Sequence, residues 1–172
     1  MESPKTEEEL FSFLESLSIE TETYRHSPVF TVEEAQAERA HMPKGGGHSK
    51  NLFVRDKKKR RALVVVDEDR RVDLKALSEK LGMGRLSFGS ADSLKSMLGV
   101  IPGSVTPFAL INAQSGIGEE PTLLVALDKA MMAKSPLYYH PLHNAATTAI
   151  TPDDLLRFIK ACGYEPLIVD LD

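Results

Sequence analysis

The sequence predicts an α/β fold in which helices pack against a mixed sheet. Three observations carry this. The runs ALVVV (62–66) and TLLVAL (122–127) are apolar at every position, as strands buried on both faces are. Several other segments place leucines at helical spacing behind a capping residue. Strand and helix signals are interspersed along the whole chain rather than grouped at one end. The chain has 172 residues, with 42% hydrophobic and 27% charged. That suits one domain spanning 1–172, and it excludes a coiled coil, a collagen-like chain and a disordered tail.

Taken in order, Thr6 and Glu9 fit a capping box, and Leu10, Phe13, Leu14 and Leu17 form one face of a helix over 6–17. Thr23 to His26 reads as a short strand closed by Ser27-Pro28. Thr31, with Glu34 three residues on, opens a second helix that reaches Ala40. MPKGGGHSK (42–50) reads as a mobile glycine loop, followed by strands at 51–56 and 62–67 in a hairpin. Asp73 caps a helix carrying Leu74, Leu77 and Leu81, which Gly82 ends. Leu86 to Phe88 is a short strand. Ser90 caps a helix with Leu94, Met97 and Leu98, stopped by Gly99. Residues 102–112 are irregular, and 138–140 and 145–150 read as strands. Thr151-Pro152 starts the last helix, Gly163 stops it, and 166–171 is a strand.

Charge and cysteine content narrow the function. The single cysteine excludes an internal disulfide. The start MESPKTEEEL has no apolar h-region, and no run approaches about 18 apolar residues, so the expected location is cytoplasmic. The formal net charge is −4, so any nucleic-acid contact must be a local patch. KKKRR, Lys57, Lys58, Lys59, Arg60 and Arg61, is such a patch at a hairpin tip. A run like this is often only a solvated turn, but here it would attract phosphate without reading sequence.

Few residues read as chemistry on their own. Cys162 falls on the core stripe of the last helix and reads as an inert small hydrophobe. His140 and His143 form H-x-x-H, but Pro141 intervenes and no third ligand is near, so no metal site is expected. The glycine loop leads into Lys50 without matching a Walker motif; it reads equally as an anion cradle or as a surface loop. Ser104 has no visible base to activate it. The acidic residues cluster in helix first turns, where the dipole accounts for them.

Together, HSPVFTVEEA (26–35), GGGHSKNLFVRDKK (45–58), PGSVTPFALIN (102–112) and HPLHNAATTAI (140–150) resemble one family over nearly the whole chain. It is the YbaK-like, prolyl-tRNA synthetase-associated domain family, and the likeness is greatest to its free-standing PrdX (ProXp-ala) group. One difference is Val54, where the family usually has Leu. The resemblance implies a mixed, partly barrel-like sheet and a trans-editing hydrolase. Such a protein cleaves the ester joining a wrong amino acid, alanine in the nearest group, to the acceptor end of tRNA(Pro). Prolyl-tRNA synthetase is a second implied partner, and no cofactor is implied. The family's motif lysine falls on Lys50, its G-x-x-x-P on Gly103 and Pro107, and its HP motif on His140. Backbone N–H groups of Gly103 and Ser104 would hold the ester carbonyl, and His140 would position ribose or water. Asn51 and Asn144 would orient the acceptor end or the catalytic loops, and Pro28, Phe30 and Thr31 would line the amino-acid pocket. Two alternatives stay open: editing of serine or cysteine esters, and a module that binds without hydrolysis.

Overall fold

The computed structural model describes residues 3–28, 31–39, 42–114 and 123–172. Phe30, Ala40 and Thr122, invoked above, lie outside them. Five α-helices among these residues start where side-chain caps place them. Thr6 and Glu9 form a reciprocal capping box on α1 (Glu7–Ser16), which satisfies two otherwise unpaired donors. Thr31 accepts from Glu34 N–H to open α2 (Val32–Glu38). Asp73, Ser90 and Thr151 cap α3 (Leu74–Leu81), α4 (Ala91–Leu98) and α5 (Pro152–Ala161). Gly82 and Gly99 end α3 and α4 in the left-handed conformation.

Eight strands form one mixed sheet. They are β1 (Glu22–Arg25), β2 (Gly47–Arg55), β3 (Arg61–Asp67), β4 (Ser87–Phe88), β5 (Leu124–Asp128), β6 (Leu137–Tyr139), β7 (Ala146–Ile150) and β8 (Leu167–Val169). The order is β1-β7-β6-β2-β3-β5-β8, with β4 added beside β2. Among the described residues β1 and β8 end this order and do not pair with each other, so the sheet does not close into a complete barrel.

β3 is an interior strand and is buried from Ala62 to Val66, as its apolar run predicts. Its alternate residues feed two cores. Leu63 and Val65 join Phe53, Val125 and Leu127 beneath α1, α4, α5 and a 3-10 helix at Pro107–Asn112. Val64 and Val66 join Val54, Ala126, Leu77 and Leu81 beneath α3. Each such buried side chain stabilises the fold by about 1.5–3 kcal/mol, so the two-faced strand anchors both layers.

The structure corrects the glycine segment. β2 begins at Gly47, not at 51, because Gly47 and His48 pair in parallel with Leu137 and Tyr138, which are remote in sequence. Gly46 has φ +82, and a Cβ there would lie 2.6 Å from Pro136 O; Gly47 N–H donates to that same carbonyl at 2.8 Å. Gly46 and Gly47 let two strands meet. Lys50 accordingly sits within a strand rather than at its start.

The β2–β3 turn is organised by Asp56, which is 2% exposed. Its Oδ1 accepts from Lys58 and Arg60 N–H at 3.0 Å; its Oδ2 accepts from Arg60 Nε at 2.8 Å and Gly84 N–H at 3.2 Å. Burial pushes this carboxyl up, but the Arg60 and Gly84 hydrogen bonds and the Arg60 charge hold it below its ordinary 3.8. A depressed carboxyl stabilises the fold above its unfolded pKa and loses that contribution as pH falls through the folded value. Asp56→Ala is therefore expected to lower the melting temperature at pH 7. The gap from wild type should narrow as pH falls below about 3.8, which thermal unfolding across pH measures.

Candidate active site

A gap in strand pairing creates the site. On one edge β2 pairs with β6 only at Gly47 and His48, and with β4 only at Val54 and Arg55. On its other edge it pairs with β3 throughout. Glu68 N–H donates to His48 O at 3.0 Å and Asp56 N–H to Arg60 O at 3.0 Å. Antiparallel alternation then turns the even-numbered residues' main-chain groups toward β3 and those of Asn51 toward the gap. A cavity of about 230 Å³ opens there. One wall is Ser49, Lys50 and Asn51; another is Tyr138, Tyr139 and His140; Gly103 and Val105 face them. Thr31, Ala35, Glu38 and Arg39, one face of α2, complete the enclosure.

Strand alternation puts Lys50 and Asn51 on opposite faces of β2, yet both border the cavity because it opens through the strand's edge. No hydrogen bond or ion pair holds the Lys50 ammonium among the described residues. Asn51 Oδ1 is buried with no hydrogen-bond partner among them. Ser49 Oγ is buried beside the Tyr139 hydroxyl and makes no hydrogen bond of good geometry. Buried polar atoms normally have partners, so an unmatched acceptor and a free cation mark a place built to receive polar groups.

His140 follows β6 directly. Its Nδ1 lies 2.9 Å from Ala146 O, and a carbonyl can only accept, so Nδ1 carries the proton in the assigned network. Nε2 is left as the ring's second nitrogen, with no hydrogen-bond partner among the described residues. Burial pushes the imidazole pKa down, and the neighbouring His26 and His143 add to this against the Ala146 hydrogen bond. His26 meets His140 edge-on at 6.2 Å and holds Thr147 Oγ1 at 2.8 Å.

His48 stacks on Tyr138, with ring centroids 4.6 Å apart and planes 9° apart. Burial, then the Arg39 charge, lowers it from an ordinary 6.5 to about 4. Arg39 itself is tied by an ion pair to Glu68, which fastens the end of α2 to the residue after β3.

Gly103 has φ +94. Pro102 precedes it and Ser104 N–H donates to Ile101 O at 3.0 Å, which makes a type II turn that needs glycine at its third position. This corrects the expected pairing of Gly103 and Ser104 as carbonyl donors: the Ser104 N–H closes the turn, and Ser104 is 2% exposed and off the cavity wall.

The remaining expected residues scatter. Thr31 caps α2 and lines the cavity. Pro28 is exposed and off the wall. Pro107 is buried in the first turn of the 3-10 helix, and Asn144 lies in the β6–β7 connection; neither lines the cavity. Lys57, Lys58, Lys59, Arg60 and Arg61 occupy the far end of the β2–β3 hairpin, with the first four exposed. The strand between Lys50 and Arg55 alone spans about 17 Å. Cys162 is buried, and burial pushes its thiol up to about 12, so it supplies no thiolate. His143 Nε2 lies 2.9 Å from Glu7 Oε1.

Sequence reasoning missed His48, Ser49, Arg39, Glu68 and Tyr138. The signal for His48 was present: with β2 begun at Gly47, His48 and Lys50 share a face at strand spacing. Arg39 and Glu68 carry no local signal, since only the fold brings them together.

The sequence and the fold match known proteins. Residues 26–158 match the aminoacyl-tRNA editing domain, so the chain belongs to the aminoacyl-tRNA editing domain family. It is 37% identical over 169 residues to the mouse (Mus musculus) prolyl-tRNA synthetase associated domain-containing protein 1, covering 95% of each chain. It is 37% identical over 151 residues to the prolyl-tRNA editing protein ProX of Acetoanaerobium sticklandii, covering 87% of this chain and 88% of that one. The crystal structure of the hypothetical protein APE2540 superposes with TM-score 0.71 at 19% identity, covering 93% of this chain and 97% of the other, which shows the shared fold.

The histidine environments give a pH signature. A histidine depressed on folding favours the unfolded, protonated chain as pH drops, so stability is present above pH 6.5 and lost toward pH 4. Melting temperature is expected to fall across that window. His48→Gln should make the fall shallower, which calorimetry at stepped pH checks.

Proposed function

We propose that the chain is a trans-editing hydrolase that cleaves the aminoacyl ester of mischarged tRNA(Pro), with Ala-tRNA(Pro) as its substrate. The observation that carries this is the convergence on one small cleft of His140, Gly103 and Lys50, whose ammonium has no partner among the described residues. The names of the mouse and ProX relatives support the choice of proline tRNA.

The chemistry asks little of the protein. An aminoacyl ester is already activated, so water attacks it without a covalent intermediate if ester, water and developing oxyanion are held in place. Lys50 offers a compact ammonium to the oxyanion or to the terminal nucleotide's phosphate. The Gly103 N–H, and the Asn51 N–H on the open edge of β2, are the carbonyl donors. His140, neutral at pH 7 with Nδ1 tied to Ala146 O, turns an acceptor nitrogen to water or ribose. The vicinal ribose hydroxyl supplies the remaining proton relay. A second site of this kind is needed because a synthetase pocket discriminates one methylene by only about 1–3 kcal/mol.

Lys50→Ala is expected to slow single-turnover deacylation of Ala-tRNA(Pro) by about 100-fold, or about 2.7 kcal/mol, with an unchanged melting temperature. A rate near wild type removes Lys50 from the site. A panel of alanine, serine, cysteine and proline esters tests specificity: preference for serine or cysteine favours that alternative, and tight binding without turnover favours a binding module.

The basic tip supports tRNA binding at a distance from the ester. Neutralising Lys57, Lys58 and Lys59 together is expected to weaken binding and flatten the dependence of log K on log salt by a slope of about 2–3. An unchanged slope in a salt titration leaves the tip a solvated turn.

A further inference from the structure

We propose that Phe88 is a stacking platform for a base of the single-stranded RNA end whose terminus enters the cleft. This rests on the tRNA reading above and adds a contact outside the cavity. Phe88 is 62% exposed, the highest among the large hydrophobic side chains exposed on the described residues. Single exposed apolar residues are common and by themselves mean little. Here the position is specific. Phe88 lies directly opposite Val54 in the β2–β4 ladder, so the two side chains share a face of the sheet. Val54 and Lys50 also share that face, being an even number of residues apart on β2. Phe88 is thus about 13 Å further along β2 from Lys50 and one strand, about 4.8 Å, to the side. Beyond it lies the basic tip.

The backbone beside the ring is also fixed. Gly89 N–H donates to Phe53 O at 2.9 Å, and a Cβ at Gly89 would lie 2.4 Å from the Phe53 ring, so the backbone beside Phe88 presses on the core. Asp56 binds both Gly84 N–H and the Arg60 side chain, which locks the segment leading into β4 to the tip. Arg85 is exposed three residues before Phe88, whereas Arg55, which pairs in register with Ser87, lies on the opposite face of the sheet. An exposed aromatic ring close in sequence to an exposed arginine, between a phosphate-attracting tip and an ester-sized cleft, fits unpaired nucleotides. Such bases stack on aromatic faces whatever their sequence, while the backbone follows positive charge.

The chain contains no tryptophan, so Phe88→Trp gives a single fluorescent reporter at this position. Titration of that variant with a short single-stranded oligoribonucleotide ending in CCA, and with uncharged tRNA, should quench its indole emission saturably. Ile168→Trp, on the opposite sheet edge in β8, should give no quenching. In deacylation, Phe88→Ala and Phe88→Leu should both raise KM about 10-fold with a smaller change in kcat, and Phe88→Tyr should recover most of it. Absent quenching, or full recovery by the ringless leucine, overturns the proposal. Absent quenching with intact deacylation overturns it alone, leaving the editing reading in place. Quenching without deacylation supports the platform and overturns the hydrolase reading.

Discussion

The site depends on an incomplete β-ladder. β2 is fully paired with β3, but on its other edge it leaves β6 after His48 and meets β4 only at Val54 and Arg55. Completing that edge would consume the main-chain groups of Asn51 and close the cavity. The interruption is stable because β3 and the two cores hold β2 from behind, where burial of Ala62 to Val66 stabilises the strand pair independently of what happens at the open edge. Buried apolar surface thus holds in place the unmatched Asn51 Oδ1, which would otherwise favour water.

Most of the architecture was legible in the chain. The five helices begin where Thr6, Thr31, Asp73, Ser90 and Thr151 announce them, because a cap is a local interaction between residues two or three apart. The apolar run of β3 showed that it is buried on both faces, because no position along it is polar. The glycine segment was misread because what fixes Gly47 and His48 is pairing with Leu137 and Tyr138, and three glycines in a row locally resemble a loop. Lys50, Asn51, Gly103 and His140 were found through the family motifs. Their meeting on one cavity follows from the sheet order, which local periodicity does not reveal. Ser104 was drawn into the site by its neighbour, although the turn that makes Gly103 available is closed by the Ser104 N–H.

Charge is distributed in two separate ways. Around the cavity it is mostly compensated: Arg39 is matched by Glu68, and His48 and His140 are kept neutral by burial. Lys50 stands apart as a cation without a counter-ion among the described residues. At the hairpin tip, only Arg60 is engaged by the buried Asp56 carboxylate, and the three lysines stay in water. A chain of net charge −4 therefore concentrates attraction for a polyanion at one end of β2 and a single uncompensated ammonium near the other.

The His48–Tyr138 stack marks the point where β2 and β6 part. There the two strands stand one ladder spacing apart, about 4.8 Å, and from there the walls diverge. The cleft is therefore a wedge rather than a socket. A wedge grades whatever enters it by girth: a slender group reaches the apex, and a broader one halts nearer the mouth. Under the editing reading proposed above, depth of entry would set the height at which an attached ester stands relative to Lys50 and Gly103, and size would be converted into alignment without any side chain having to recognise the group by contact.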